Sequence, residues 1–445
     1  MGKYFGTDGI RGKNEIFNQS LISNIVSSLI KTFDKDNIRV LVGGDTRESS
    51  ETIIDCICKE LQIRGAIVLN GGILPTPALS YLTSKFECDC GIIITASHNP
   101  YTDNGIKIIN QDGEKLTDIM IESIEKYMDE ENYNFENNSA NLHEIESVHD
   151  VCVNLYLEKL SDCMGEISNN LKIGIDCSNG ATSKVAKLIF KKLNANTKFI
   201  NSDENHNNKI NFECGSTHLD AISKHVVENK LDLGIAYDGD GDRTLLVTKD
   251  GKQVDGDHIL AILAEYCELP KEMVITVMAN QGLINWAKAN DIKYTITDVG
   301  DTNVYEAMKE KDIVIGGEQS GHIILRNHQM HTGDGLLTSL VIVELLSKTG
   351  KSLDELSEVI TKTPQIIKNV IVSDEEKKVF KTTTKANDLI KEYENLLENV
   401  SGRLNIRASG TESLIRITMW GSNLDTITEY SESMALKLKQ LLEEK

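Results

Sequence analysis

Three carboxylates separated by glycines form the densest group of chemically capable side chains in this sequence, Asp238-Gly239-Asp240-Gly241-Asp242-Arg243. Oxygen ligands at this density can converge on a hard divalent cation such as Mg²⁺. An EF-hand loop starting at Asp238 is excluded, because its sixth and twelfth positions hold Arg243 and Lys249 instead of glycine and glutamate. A solvated acidic turn would not explain why an apolar strand runs directly into three like charges. The segment therefore predicts a magnesium site at Asp238, Asp240 and Asp242.

A serine on a tight turn follows a second apolar run, in the segment Thr95-Ala96-Ser97-His98-Asn99-Pro100. A hydroxyl ringed by backbone N–H groups can hold or carry a phosphoryl group. An ordinary strand-ending turn, with Asn-Pro supplying the bend, explains the same residues equally well. Lys107 follows closely enough in the chain to reach the serine. Neither a Gly-x-Ser-x-Gly elbow nor the serine-protease order of residues is present.

Three further glycine-containing loops carry groups that suit a sugar phosphate. A carboxylate, an amide and a hydroxyl, which match sugar hydroxyls, occur together in Gly316-Gly317-Glu318-Gln319-Ser320-Gly321-His322. Arginine and hydroxyl groups that can cradle a phosphate occur in Arg407-Ala408-Ser409-Gly410-Thr411-Glu412, with Arg416 beyond it, and in Gly6-Thr7-Asp8-Gly9-Ile10-Arg11-Gly12. Each loop alone is also compatible with a plain glycine turn that carries chance polar residues.

The motifs that indicate a nucleotide cofactor are missing. Gly350-Lys351-Ser352 matches the end of the P-loop pattern Gly-x-x-x-x-Gly-Lys-Ser/Thr, but the first glycine of that pattern is replaced by Leu345. No Gly-x-Gly-x-x-Gly opens a helix. Two phosphate-suited loops, a hydroxyl nucleophile, a hard-metal site and a sugar-suited loop remain. Together they indicate phosphoryl transfer on a sugar phosphate.

The elements that must position these loops are short apolar runs alternating with helical patterns. Runs of four or five apolar residues bounded by turns are typical of strands covered on both faces, so the predicted class is α/β. Such sheets bind ligands at the carboxyl ends of their strands, where the loops lie. The predicted strands are 38–42, 66–69, 91–95, 171–177, 233–237, 274–277 and 313–315. Helices are predicted over 50–65, from the 178–180 turn to 194, and over 336–346, a buried helix with its N-terminus and cap at Gly333-Asp334-Gly335.

The composition excludes several classes of function. The sequence has 47 basic and 68 acidic residues, a net charge of −21, and no Lys/Arg cluster that could hold nucleic acid or an anionic membrane. No apolar stretch approaches the ~18 residues of a spanning helix, and no export signal opens the chain. Nine cysteines, an odd number, fit reduced thiols. We therefore expect a soluble cytoplasmic protein.

The length of 445 residues predicts three or four domains. Residues 129–150 are rich in acidic and Asn side chains and contain no Lys or Arg, which indicates a solvated connection. A second break is predicted at Thr363-Pro364, and a less visible one at Asp250-Gly251. The predicted domains are therefore 1–145, 151–249, 250–363 and 364–445.

Taken together, the five loops resemble the α-D-phosphohexomutase family in order and spacing, over residues 4–416. The resemblance implies three α/β domains with mixed sheets around a central cleft, and a smaller C-terminal α+β domain similar to the TATA-binding-protein fold. Segments 5–12 and 318–322 resemble the bacterial phosphoglucosamine mutase branch, with Gln319 where sister branches more often have Met.

That branch implies an isomerase that interconverts glucosamine 6-phosphate and glucosamine 1-phosphate, for UDP-N-acetylglucosamine and cell-wall synthesis. A phosphoserine would pass its group to the substrate, and the resulting bisphosphorylated sugar, also the expected activator, would turn round before the return transfer. Accepting either phosphate in one cradle implies a mobile C-terminal domain joined near Pro364. A homodimer is a further expectation from the family.

The resemblance also implies roles for the residues of the phosphoryl path. Ser97 would be the phosphoserine, and one of its phosphate oxygens would join the three aspartates as a ligand of Mg²⁺. His98 and Lys107 would surround the reacting hydroxyl. Arg11 and Arg243 would lie beside the transferring group.

The remaining implied roles concern the sugar and its second phosphate. Glu318 and Ser320 would hold sugar hydroxyls, with His322 nearby. The second phosphate would be anchored by Arg407, Ser409, Gly410, Thr411 and Arg416. The sequence departs from the family at Gly300-Asp301-Thr302-Asn303-Val304, where Arg-Tyr often follows Gly-Asp, and at Ser413, where proline is usual.

Other functions stay open from the sequence. A sister mutase acting on mannose or glucose phosphates has the same motifs. A metal-dependent phosphatase would use Asp238 as its nucleophile and would not need Ser97. A non-enzymatic cation-binding protein would leave both phosphate cradles and Ser97 unexplained.

Overall fold

The computed structural model describes residues 2–6, 8–130, 145, 147–409 and 413–443, and these residues form four β-sheets flanked by helices. The first three sheets mix parallel and antiparallel strands, whereas the fourth is antiparallel. The predicted α/β class with mixed sheets and a smaller C-terminal α+β unit is confirmed. Within the described ranges, no helix is both long and apolar enough to cross a membrane.

The first sheet carries the serine loop and Lys107. Its strands stand in the order β1-β5-β4-β2-β3 and are β1 (Ile10–Lys13), β2 (Arg39–Gly44), β3 (Ile67–Ile73), β4 (Cys90–Ile94) and β5 (Asp103–Asn110). The helices are α1 (Gln19–Phe33), α2 (Glu48–Ile63), α3 (Thr76–Lys85) and α4 (Asp118–Glu130). Because β4 and β5 are antiparallel neighbours, the loop between them places Ser97 at the same edge as the start of β5.

The second sheet ends in the triple-aspartate loop. Its strands stand in the order β10-β9-β8-β6-β7 and are β6 (Lys172–Asp176), β7 (Asn196–Ile200), β8 (Leu233–Tyr237), β9 (Thr244–Thr248) and β10 (Gln253–Val254). The helices are α5 (His149–Asp162), α6 (Thr182–Lys192) and α7 (Asp220–Asn229). β8 is buried along its whole length, so the aspartates that follow it begin at the protein interior.

The third sheet carries the sugar-suited loop between its last two strands. The strands stand in the order β12-β11-β13-β14 and are β11 (Glu272–Thr276), β12 (Lys293–Thr297), β13 (Ile315–Gly317) and β14 (Ile323–Leu325). The helices are α8 (Gly256–Tyr266), α9 (Gln281–Ala289), α10 (Asp301–Lys311), α11 (Gly335–Thr349) and α12 (Leu353–Ser357). The first twelve residues of α11 are buried, and Asp334 caps its N-terminus by accepting from Leu337 N–H at 2.9 Å, as predicted.

The fourth sheet has a core of its own. Its strands stand in the order β15-β17-β16 and are β15 (Gln365–Ile371), β16 (Arg403–Ala408) and β17 (Leu414–Trp420). The helices are α13 (Asp374–Thr382), α14 (Thr384–Glu398) and α15 (Leu424–Glu443). Their apolar side chains, from Val370 to Leu442, form a cluster distinct from the large core that runs from Leu41 through the second and third sheets to Ile360.

Most predicted strands are present, with shifted ends. β8 matches its predicted bounds, whereas β13 begins two residues later than expected. The hairpin β9–β10 crosses the predicted boundary at Asp250-Gly251, and the limits of the four predicted domains stay predictions. The predicted connection over 129–150 lies largely outside the described residues. β1 and β5 were not predicted, because their residues were interpreted only as parts of loops.

Candidate active site

Three aspartates converge at the carboxyl end of β8. Asp238, Asp240 and Asp242 are at most 4% exposed, and each offers an oxygen within 4.8 Å of the others. Gly241 has a φ of +74°, and a Cβ there would lie 2.4 Å from Thr182, so only glycine fits. Among the described residues, no hydrogen-bond partner meets the buried Oδ1 atoms of Asp240 and Asp242. Because buried carboxylate oxygens need a compensating charge or donor, this donor set fits a hard divalent cation.

The carboxylates of this loop differ in their surroundings. Burial and the like charges of Asp242 and Asp240 raise the pKa of Asp238 well above its usual range. Burial alone would also raise the pKa of Asp242, but Lys107 and His322 outweigh it and hold that pKa well below its usual range. Arg243 donates its backbone N–H to Asp238 Oδ1 at 3.1 Å. The Asp238 end of the cluster is therefore the end that most lacks positive charge.

The Ser97 hydroxyl points at that end of the cluster. Its Oγ donates to Asp238 Oδ2 at 2.7 Å, and the residue is 1% exposed. Ser97 has a left-handed backbone, with φ +52°, which costs energy for a residue other than glycine. Its N–H donates to Thr95 Oγ1 at 2.8 Å, and the next side chain, His98, has Nδ1 3.4 Å from Ser97 Oγ. A phosphate ester on Ser97 would therefore adjoin the three carboxylates.

The Ser97 turn is clamped by an arginine that the sequence analysis did not single out. Arg47 is fully buried, and its Nε lies 2.9 Å from Asp45 Oδ2. Its guanidinium donates to the carbonyl oxygens of residues 97 and 99, each at 2.9 Å, and to those of Pro100 and Asp103. Asn211 Nδ2 donates to the first two carbonyls at 2.8 and 3.1 Å. Contacts that are distant in sequence thus fix the shape of this turn.

Lys107 lies on β5 among three carboxylates from two segments. Its Nζ is 2.9 Å from Asp240 Oδ2, 3.5 Å from Asp242 Oδ2 and 3.1 Å from Asp8 Oδ2. Burial would lower the pKa of Lys107, but these carboxylates outweigh it and raise that pKa well above its usual range. Asp8 also pairs with Arg11. One carboxylate therefore orients two cations of the predicted phosphoryl path.

A second lysine extends this charged network to the third sheet. Lys115 Nζ lies 2.7 Å from Asp8 Oδ1 and 2.6 Å from Asp301 Oδ2. Asp301 is the first residue of α10 and belongs to the segment where the sequence departs from the family. A cavity of about 660 Å³ adjoins these groups and is lined in part by Asp8, Lys107, Lys115 and residues 300–303.

The surroundings of the half-buried His98 favour its neutral form. Burial, followed by the positive charges of Arg243 and Arg11, lowers the pKa of His98 to about 4. The imidazole is therefore neutral at pH 7.

The sugar-suited loop connects to the metal-suited loop through His322. Glu318 Oε1 accepts from Gly300 N–H at 3.0 Å, and Ser320 Oγ lies 3.4 Å from Glu318 Oε2. His322 is 2% exposed; its Nε2 accepts from Gly333 N–H at 2.9 Å, and its Nδ1 is 3.7 Å from Asp242 Oδ2. His322 thus places the sugar-suited loop beside Asp242 of the aspartate cluster.

The predicted phosphate cradle lies on the C-terminal sheet and is only partly described. Arg407 on β16 stands directly opposite Arg416 on β17, and Ser409 donates its N–H to the carbonyl of residue 414 at 2.9 Å. Gly410 and Thr411 lie outside the described residues. Burial and the charge of Arg416 lower the pKa of Arg407, while Glu318 acts in the opposite direction. The cradle and the sugar-suited loop therefore lie within each other's electrostatic field.

The structure places Ser97, Lys107, Arg243 and His322 each against one or more of the three aspartates. Four further groups hold them: Asp8, which lies in a segment predicted only as a phosphate-suited loop, and Arg47, Lys115 and Asn211, which the sequence did not single out. Arg47 could have been identified as a candidate from the sequence, because it ends the polar turn Gly43-Gly44-Asp45-Thr46-Arg47 directly after a predicted strand.

Comparison with known proteins gives matches along the whole chain. The models of α/β/α domains I, II and III of the phosphoglucomutase/phosphomannomutase family match residues 2–135, 154–251 and 255–363. The phosphoglucosamine mutase of Clostridioides difficile is 37% identical over 461 residues, which cover 100% of both chains.

Two solved structures show a similar fold. A phosphoglucomutase/phosphomannomutase family protein from Burkholderia thailandensis superposes with a TM-score of 0.80 at 19% identity, covering 99% of this chain and 98% of the other. The N-acetylphosphoglucosamine mutase of Aspergillus fumigatus, solved in complex with GlcNAc-6P and magnesium, gives a TM-score of 0.68 at 17% identity, covering 97% of this chain and 94% of the other.

Proposed function

Because this chain belongs to the phosphoglucomutase/phosphomannomutase family, whose members are isomerases of sugar phosphates, we propose that it interconverts glucosamine 6-phosphate and glucosamine 1-phosphate. Full-length similarity to phosphoglucosamine mutases supports this choice of substrate. One observation carries the proposal: the Ser97 hydroxyl lies 2.7 Å from Asp238 at a buried cluster of three carboxylates. A hydroxyl in that position can store a phosphoryl group between two half-reactions.

The cation proposed for the cluster is Mg²⁺, held by Asp238, Asp240 and Asp242, with a phosphate oxygen on Ser97 as a further ligand. The all-oxygen donor set and the two buried oxygens without a described partner support this assignment. The fungal enzyme of similar fold was solved with magnesium. A cation bound here would supply positive charge beside the phosphoryl oxygens.

In the first half-reaction, the phosphoryl group moves from Ser97 to the free hydroxyl of the sugar phosphate. The bond from phosphorus to Ser97 Oγ breaks and a bond to the sugar oxygen forms, while the proton of the sugar hydroxyl passes to a base and from that base to Ser97 Oγ, which leaves as a hydroxyl. His98 is the proposed base, because its Nδ1 lies 3.4 Å from Ser97 Oγ and its imidazole is neutral at pH 7. Lys107, Arg11 and Arg243 provide the positive charge that balances the transferring group.

The second half-reaction requires the bisphosphorylated sugar to turn round, so that its other phosphate reaches Ser97. Glu318 and Ser320 are proposed to hold the sugar hydroxyls in both orientations, with His322 beside them. The phosphate that is not reacting would be held by Arg407, Ser409, Gly410, Thr411 and Arg416. The charge of Glu318 acts on Arg407, which supports one binding region shared by these groups.

The proposal is tested by replacing the phosphate carrier. Ser97→Ala should lower mutase turnover of glucosamine 6-phosphate by at least about 10³-fold and should abolish the ~80 Da mass difference that phosphatase treatment produces in the wild-type protein. Ser28→Ala is the matched control, because it removes a fully buried hydroxyl on α1, away from this site. Normal turnover in Ser97→Ala, with release of inorganic phosphate, would instead identify a phosphatase that uses Asp238.

Glucose and mannose phosphates are the second candidate substrates, because the family model covers enzymes for both. The values of kcat/KM for glucosamine, glucose and mannose 6-phosphates decide between the candidates. A higher value for glucose or mannose 6-phosphate than for glucosamine 6-phosphate would overturn the proposed substrate and leave the phosphoserine chemistry intact.

A further inference from the structure

The sugar-suited loop is tied to a buried carboxylate that the proposed mechanism does not use. Gln319 Nε2 donates to Asp257 Oδ2 at 3.0 Å, and Gly256 N–H donates to the carbonyl oxygen of Gln319 at the same distance. Asp257 lies in the first turn of α8 and is fully buried. Its other oxygen, Oδ1, has no hydrogen-bond partner among the described residues. Removing the Gln319 amide would therefore leave this buried carboxylate with one hydrogen-bond donor fewer, at a cost in free energy.

The other donor to Asp257 leads to the chain segment that precedes the C-terminal unit. Asn280 N–H donates to Asp257 Oδ2 at 2.8 Å. The buried side chain of Asn280 in turn holds both backbone groups of Thr363, with Oδ1 accepting the N–H at 2.9 Å and Nδ2 donating to the carbonyl at 3.0 Å. Asn280 Nδ2 also lies 3.4 Å from Gln365 Oε1. Three buried or half-buried side chains thus connect residue 319 with residues 363 and 365.

Residues 361–364, called the linker here, join two separately packed cores. Ile360 belongs to the large core of the first three sheets, and the core of the C-terminal unit begins at Val370. The C-terminal sheet holds the far end of the linker through Gly421 N–H, which donates to the carbonyl oxygen of Pro364 at 3.1 Å. A small change of backbone angles at the linker would therefore reorient the whole C-terminal unit, with its two arginines, relative to the sugar-suited loop.

We propose that Gln319, Asp257 and Asn280 form a hydrogen-bonded relay through which occupation of the sugar-suited loop fixes the orientation of the C-terminal unit. A sugar phosphate bound by Glu318 and Ser320 restricts the loop between them and keeps the Gln319 amide on Asp257. That contact holds the Asn280 segment and therefore the linker. Coupling of this kind is reciprocal, so a phosphate bound by the C-terminal unit also favours the ordered loop.

Gln319 is thus a positioning residue that touches no reacting atom. The ligand-dependent half of this inference rests on the proposed function, because it requires a sugar phosphate on the loop. The ligand-free half does not, because the hydrogen bonds exist in the protein alone.

Hydrogen–deuterium exchange of the full chain tests the relay. The variants are Gln319→Met, which keeps the length of the side chain and removes its donor, and Asp257→Leu, which keeps the branched shape of the side chain and removes the oxygen that accepts from Gln319 and Asn280. Both should speed exchange at 361–366 about fivefold without ligand, the factor that one ordinary hydrogen bond is worth. In the wild type, saturating glucosamine 6-phosphate should slow exchange at 316–322 and at 361–366. In both variants it should still slow exchange at 316–322 but no longer at 361–366.

Gln281→Met is the matched control. Gln281 lies next to Asn280, but its Nε2 donates to Asn285 Oδ1 at 2.9 Å on the exposed side of α9. This variant should exchange like the wild type in both segments. The relay is overturned if residues 361–366 of the Gln319→Met variant exchange at the wild-type rate and are still protected by the ligand. If glucosamine 6-phosphate protects neither segment in the wild type, the proposed substrate fails, and the ligand-free comparison still decides the relay.

Discussion

Replacing Arg47 with methionine should impair phosphoryl transfer far more than it destabilises the fold. Methionine fills much of the same space but has no donors. The change removes the hydrogen bonds to the carbonyl oxygens of residues 97, 99, 100 and 103, and it removes the positively charged partner of the fully buried Asp45. Asp45 keeps the hydroxyls of Ser50, at 2.9 Å, and Thr95, at 2.6 Å.

The stability cost follows from those contacts. Removing one member of a buried ion pair costs about 3–5 kcal/mol. Two hydroxyl donors remain on Asp45, and Asn211 still donates to the carbonyls of residues 97 and 99, so we expect the lower end, about 3 kcal/mol. A typical domain has 5–15 kcal/mol of stability, so the variant should stay folded at 25 °C. A displacement of the Ser97 turn by ~1 Å is expected to lower kcat by about 10²-fold.

Turnover of glucosamine 6-phosphate and urea denaturation, measured on the same preparation, check both values. Arg64→Met is the control, because Arg64 donates to the carbonyl oxygen of Glu60 and to Ser23 Oγ within the first sheet's helices, away from the Ser97 turn. It should lose stability and keep its kcat. A folded Arg47→Met protein with kcat within threefold of the wild type would show that the turn keeps its shape without the clamp.

Three other changes have expected outcomes. Asp240→Asn should raise the Mg²⁺ concentration needed for half-maximal turnover at least tenfold after chelator treatment, because it removes a charged ligand; an unchanged requirement would place the cation elsewhere. Burial raises the pKa of Asp334 to about 6. Its protonated carboxyl therefore contributes fully to the free energy of unfolding below about pH 4, and this contribution is lost as pH rises through 6. Asp334→Asn should remove this pH dependence, which amounts to up to about 3 kcal/mol, in denaturation measured at a series of pH values. Glu125 accepts the N–H groups of residues 3–5 at 2.6–2.9 Å, so Glu125→Gln should speed hydrogen exchange there several-fold, and exchange equal to the wild type would contradict this role.

The sequence predicts the loops of this site better than the contacts that hold them. The run of buried residues before Asp238 and the alternating glycines are local features, and the structure has a buried β8 followed by a tight turn at Gly241. Similarly, the apolar run over 336–346 and its cap at Asp334 depend only on neighbouring residues. Patterns of this kind are visible in one window of the sequence because the physical cause lies within that window.

The missed groups act over long distances along the chain. Arg47 meets a turn about fifty residues later, and Asn211 reaches the same turn from the second sheet. Lys115 joins Asp8 to Asp301, residues that no periodicity relates. β5 was missed for a related reason: its polar start, at Asp103 and Asn104, has the composition of a loop, but pairing with β4 makes it a strand.

The charges of the site explain why the proposed cation and the proposed phosphoserine should stabilise each other. Five carboxylates, those of Asp8, Asp301 and the three metal-suited aspartates, meet the four cations Lys107, Lys115, Arg11 and Arg243. The cluster is thus negative by itself, and a dianionic phosphate on Ser97, whose oxygen is already hydrogen-bonded to Asp238, would be repelled. A divalent cation reverses the sign of the cluster, so the same position attracts the phosphate. Because the groups are buried, this change is screened only weakly by solvent, and each ligand should raise the affinity of the protein for the other.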